Sequence, residues 1–148
     1  MELRNPPPNS FLQNAEWQEL HVHAVHWQSD MSFFADELRF LNILFDKYFA
    51  AFIDEENMEK TKSVASRVSH VQSEHQKLTG HINGHLRNIE DLIKETSAEN
   101  ASALRAVHTS LQEDIAAFFK AFKELKREVF ELTERIAKSE KNKHLLSS

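Results

Sequence analysis

Three long antiparallel helices, packed up-down-up as an all-α bundle, are what this sequence predicts. Turn-formers are scarce, with 2 Gly and 3 Pro in 148 residues and all three prolines at Pro6-Pro7-Pro8. That leaves almost no hairpin chemistry and argues against sandwiches, barrels and Gly-rich phosphate loops. Three long runs carry apolar residues in steps of three and four, the helical period. Only two short polar segments, 54–57 and 96–100, break them.

Residues 1–9 read as a Pro-rich extended arm, because proline favours polyproline II and forbids a helix start before it. Ser10 and Gln13 fit a capping box, hydroxyl to the third helical N–H and amide back to the cap. From there the first helix runs to Phe52 through Leu20, Ala24, Trp27, Met31, Phe34, Leu38, Leu41, Phe45 and Tyr48. Asp54 to Asn57 make the first turn, with Asn57 as N-cap of the second helix. Its stripe is Val64, Val68, Val71, His75, Leu78, Ile82, His85, Ile89 and Leu92. Gly80 and Gly84 lie inside it and either weaken the helix, by about 1 kcal/mol each relative to Ala, or permit a close approach. Thr96 and Glu99 cap the third helix, whose stripe is Leu104, Val107, Leu111, Ile115, Phe118, Phe122, Leu125, Val129, Leu132 and Ile136. Each helix is about 40 residues, roughly 60 Å at 1.5 Å per residue. Short turns make successive helices antiparallel. One domain is therefore expected over residues 10–142, with a frayed tail at 143–148. The charges from Lys120 to Arg135 read as a solvated face with i, i+4 pairs.

Composition removes several classes of function. With no Cys, disulfide scaffolds, thiolate metal sites and Cys nucleophiles are excluded. A net charge of −5 speaks against nucleic acid, whose phosphates need a basic surface. No apolar stretch reaches the length of a membrane span, and the first residues hold no apolar signal core, so no membrane association and a cytoplasmic location are expected. No serine has a strained elbow or oxyanion hole suggested around it. The two unusual counts are 9 His and 11 Phe.

The first helix is too apolar for a simple seam. Phe33, Phe40, Leu44 and Phe49 widen its stripe beyond what two neighbours would cover. Either the arm packs there or a second copy does; a homodimer is the favoured reading. The aromatic runs Phe33/Phe34/Phe40 and Phe118/Phe119/Phe122 are read as packing or dimer contacts.

At 100° per residue, His23, His26, Asp30 and Glu37 fall on or near the buried direction set by Phe34 to Phe52. Buried charges need partners or they neutralise. On the second helix His75 and His85 are at seam positions, His81 at the edge, and His70 outside. On the third, His108 and Asp114 flank the seam. Pairing Ile53 with Met58 across the first turn sets His26 level with His85, Asp30 with His81 and Glu37 with Glu74. Pairing Glu95 with Ala98 sets His85 level with His108. Three helices thus bring one imidazole each to one height. Imidazoles and carboxylates on facing helices are what a metal site in a bundle needs. The expected ligand set is His26, Asp30, His81, His85, His108 and Asp114, with Glu37 and Glu74 as outer carboxylates that orient the ligands or act as a base. With N and O donors and no sulfur, the ion would be a divalent metal such as iron, zinc or manganese. Asp30 and Glu37 have a second reading as partners of Arg39, Lys47 or a Trp indole. His23 and His75 read as core histidines bonded to a neighbour.

The pairs His70 with Glu74, His81 with His85, and His108 with Glu113 resemble motif types of the hemerythrin-like and ferritin-like helical metal proteins. The resemblance covers motifs only, and implies a non-haem metal site. It departs from that family in that the first two pairs share one helix, where His70 and His85 are about 22 Å apart along the axis. The stretch from Trp17 to Phe49 is similar to uncharacterised bacterial helical-bundle proteins. The rival functional reading is a structural or protein-interaction three-helix module, resembling spectrin-type bundles, in which the buried histidines satisfy one another without an ion.

Overall fold

The computed structural model of the chain is all helical, with α1 at Asn9–Phe52, α2 at Met58–Glu95 and α3 at Ala101–Ser147. The structure describes residues 9–52, 58–95 and 101–147, and the side chains within 16–48, 58–94 and 101–138. The Pro-rich arm and the caps expected at Asn57 and at Thr96/Glu99 lie outside the described residues. The α3 helix continues through the Lys- and Ser-rich tail to Ser147. No helix among the described residues is long and apolar enough to cross a membrane.

Burial on each helix follows a strict heptad. On α1 the buried residues are Trp17, Ala24, Met31, Leu38, Leu41 and Phe45, with half-buried Leu20, Trp27, Phe34 and Tyr48 completing the steps of three and four. On α2 they run from Thr61 and Val64 through Val68, Val71, Leu78, Ile82, His85 and Ile89 to Leu92, and on α3 from Ala101 and Leu104 through His108 and Leu111 to Ile136. A heptad seam of apolar side chains is the pattern by which long helices bury one face against neighbours. It corrects one expectation. The seam residue between Leu104 and Leu111 is His108, 6% exposed, whereas Val107 is 45% exposed. Val107 is the more apolar residue, but only position 108 keeps the alternation of steps that Ala101, Leu104, Leu111 and Ile115 set.

The chain divides into two compact units, residues 1–32 with 77–115, and 33–76 with 116–148. In the first unit His21 meets Glu90 at 3.2 Å and Gln28 donates to Asn83 at 2.9 Å. Both pairs stand on the levels expected from the first turn, so α1 and α2 are antiparallel there. The core of this unit gathers Trp17, Ala24, Ile89, Leu92, Ala101 and Leu104, with Leu20, Trp27, Leu86 and Ile93 against it. Arg105 covers one side, its guanidinium 5.1 Å from the Trp17 ring centre. Its Nε and Nη2 donate to the two Glu16 carboxylate oxygens at 2.6 and 3.0 Å. These bonds hold the Glu16 carboxyl below its ordinary range.

In the second unit Phe34 sits among Phe118, Phe119 and Phe122, with centroid separations of 5.4, 4.9 and 4.8 Å. Arg67 on α2 pairs with Glu128 on α3, and Lys126 on α3 donates to Glu37 on α1 at 2.9 Å. Residue numbers rise together along α1 and α3 and in opposite senses along α2 and α3, the up-down-up order. The outer face of α3 carries i, i+4 ion pairs, Arg127–Glu131 at 4.0 Å and Lys138–Glu134 at 3.4 Å, as expected of a solvated face.

The two glycines are not there for a close approach. A methyl group at Gly80 or Gly84 would meet nothing within 4 Å. Gly80→Ala and Gly84→Ala are each expected to raise the unfolding free energy by about 0.5–1 kcal/mol, read by urea denaturation, since only backbone freedom in the unfolded chain is lost.

Candidate functional site: a buried imidazole pair in the first unit

His85 and His108 sit at facing seam positions of α2 and α3, 2% and 6% exposed. His85 Nε2 and His108 Nδ1 are hydrogen-bonded at 2.9 Å. One ring must donate and the other accept, so each neutral imidazole has spent one nitrogen. The outward nitrogens, His85 Nδ1 and His108 Nε2, are buried with no hydrogen-bond partner among the described residues. In either tautomer one of them is an N–H and the other a lone pair. The His85–His108 level is the one expected from the second turn.

Around the pair stand two residues of α1. The Trp27 ring lies 4.4 Å from His108, tilted by 33°, and the His23 ring 5.6 Å from it. Burial, His85 and His23, in that order, push the His108 pKa down to about 4. Burial lowers that of His85 as well. Both rings are therefore neutral at pH 7.

The residue that α1 contributes at this height is His23, together with Trp27, and not His26. His23 and His26 are both exposed and Asp30 is half-buried, but of these only His23 brings its ring to His108 among the described residues; with Val22, Trp27 and Gln112 the three line a shallow depression of the first unit. His81 and Asp114 are exposed. Among the described residues, no three His, Asp or Glu side chains are grouped to hold an ion together. In the second unit Glu37 is paired with Lys126 rather than with Arg39, Lys47 or an indole, Glu74 is half-buried, and His75 lies 5.9 Å from the Phe118 ring.

The line His23, His26, Asp30, Glu37 thus borders the buried face instead of running down it. The reason is the heptad. A period of 3.5 departs from 100° per residue by about 20° in each repeat. A direction taken from Phe34 to Phe52 and carried back three repeats accumulates about 60° of error. The structure also shows what could have found His23, since it precedes the seam residue Ala24 as Asp30 precedes Met31. No family model, curated protein or solved structure matches this chain.

Proposed function

We propose that this chain is a three-helix contact module, with a core that holds its helices in register and its working surfaces on the helix faces left outside the seams. One observation carries this reading. The buried imidazoles bond ring to ring through their inner nitrogens, at positions where every neighbour on the seam is apolar. A buried polar pair lowers stability relative to an apolar one and in return specifies which residues face each other. Sliding α2 by one heptad along α3 would set His85 against Ala101 or Ile115 and leave the inner nitrogens unpaired too. The reading fits the expected cytoplasmic location, where no disulfide is required.

A second reading keeps the expected divalent metal. It is favoured by the 2.9 Å between two imidazole nitrogens, a separation that two donors about 2.1 Å from one ion at right angles also adopt. His85 and His108 would be its core ligands, with His23 the histidine of α1 beside them.

Metal content and thermal melting of protein purified without a His tag decide between the two. The contact module predicts substoichiometric metal, a melting curve unmoved by EDTA, and a His85→Leu/His108→Leu variant that melts at or above the wild type. A stoichiometric divalent ion, with melting lowered by EDTA and binding lost in His85→Ala, would replace it with the metal reading.

A further inference from the structure

Among the described carboxylates of the first unit, three are half-buried, Glu16, Asp30 and Glu90. Two of them have partners. Glu16 takes both its oxygens to Arg105, and Glu90 is bonded to His21. Asp30 has neither a cation nor a hydrogen-bond donor among the described residues. A half-buried carboxylate without a partner loses part of its hydration with nothing in return. A cation from outside gains more beside it than on the open surface, because the local dielectric is lower.

Asp30 lines the shallow depression that Val22, His23, His26 and Trp27 of α1 form with Gln112 of α3. Its volume, about 330 Å³, lies at the small end of ligand sites, roughly 300–1,000 Å³. Trp27 is half-buried, and the His108 ring packs against it at 4.4 Å with a tilt of 33°. His108 takes one side of the indole, and the depression takes what is left. An indole face attracts a cation through the ring quadrupole and stacks on a second ring. Along α1, Trp27 stands between His23 and Asp30, which are about 10 Å apart on the axis. A carboxylate at one end, an indole in the middle and an imidazole at the other end suit an elongated molecule with positive charge at one end. An inorganic cation would use Asp30 and not the indole, and an anion would be repelled.

We propose that this depression binds a small arylalkylamine, with its ammonium on the Asp30 carboxylate and its ring on the Trp27 indole. Amines of this kind titrate near pH 10, so the ammonium is charged at pH 7. The site lies outside the seams. It goes beyond the contact-module reading, which neither needs it nor falls with it.

Phenethylamine is the probe, titrated into the full chain with EDTA throughout, so that an ion at His85 and His108 plays no part. Trp17 is 1% exposed, so a change in tryptophan emission reports Trp27. The expected result is a saturable change with Kd no weaker than about 10 mM, absent in Trp27→Phe. Asp30→Asn should raise Kd at least about fivefold. Asp91→Asn removes the same charge from an exposed position on α2 and should leave Kd within about twofold, since a distant surface charge is screened. Circular dichroism checks that both variants keep their helices. Hydrocinnamate, with a similar ring and the opposite charge, should give no change. Nα-acetyl-lysine amide, an ammonium without the ring, should bind more weakly than phenethylamine. Tighter binding of the lysine derivative would assign the site to a lysine side chain of a protein partner and overturn the small-molecule reading. No saturable change, a change that survives Trp27→Phe, equal binding of hydrocinnamate, an unmoved Kd in Asp30→Asn, or an equal loss in Asp91→Asn overturns the site. Metal content of the same preparation judges the contact-module reading on its own.

Discussion

Trp17→Ala is expected to lower the unfolding free energy by about 3–5 kcal/mol, the range for removing a fully buried large aromatic side chain. Trp17 is 1% exposed and packs with residues of all three helices, Ala24 on α1, Ile89 and Leu92 on α2, and Ala101 and Leu104 on α3. Two of these neighbours are alanines, which have no side-chain length with which to fill the space left behind. The substitution also takes the ring from under the Arg105 guanidinium, leaving Arg105 with Glu16 alone. Urea denaturation followed by circular dichroism gives the value. Phe33→Ala, on an exposed ring of comparable apolar size, is the control and should stay within about 0.5 kcal/mol in the monomer. A Trp17→Ala loss below about 1.5 kcal/mol would mean that α1 does not close over this core.

Lowering the pH from 7 to 5 is expected to remove about 2 kcal/mol of stability through His108 alone. Its folded pKa, about 4, lies below the unfolded value of 6.5. Between those values the unfolded chain binds more protons than the folded one, so stability rises with pH across the window and falls as pH drops below 6.5. Above it both states are neutral and the slope vanishes. Below about 4 the folded ring protonates as well and the loss levels off. His85, lowered by burial, acts in the same direction. The structural cause is the pair itself. A third proton places an N–H on both outward nitrogens, and neither has an acceptor among the described residues. Glu16, whose folded pKa is also lowered, contributes stability that is lost only below its ordinary value of 4.5, so pH 5 isolates the histidines. Urea midpoints at the two pH values check the figure. His85→Leu/His108→Leu should flatten the dependence, and an unchanged slope in that variant would assign the effect elsewhere.

Much of this was legible in the residues. Scarce Gly and Pro, three runs with steps of three and four, and two polar breaks specify three helices, α1 and α2 within a residue or two of where they lie, while α3 runs on to Ser147 through residues read as a frayed tail. The turn pairings specify level, because along antiparallel helices level depends only on where the turn is. His85 and His108 accordingly meet as expected. Rotation about the axis was the weaker coordinate. His26 and His23 differ by three residues and about 60° in angle, as much as the accumulated drift between 3.5 and 3.6 residues per turn, and that drift decides which one nears His108. Hydrophobicity also misled at Val107, where the heptad outweighs the difference between a valine and a neutral imidazole that has a hydrogen-bond partner. Glu37 could not be matched to Lys126 because no turn joins α1 directly to α3.

The positions of the indoles and the phenol have a practical consequence. Both tryptophans of the chain, Trp17 and Trp27, belong to the unit of residues 1–32 and 77–115, and its single tyrosine, Tyr48, belongs to the other. Each half therefore carries its own optical reporter without labelling. Emission excited selectively at indole follows one half, and tyrosine absorbance weights the other. Whether the chain melts as one cooperative body or in two stages becomes a question that a cuvette can answer.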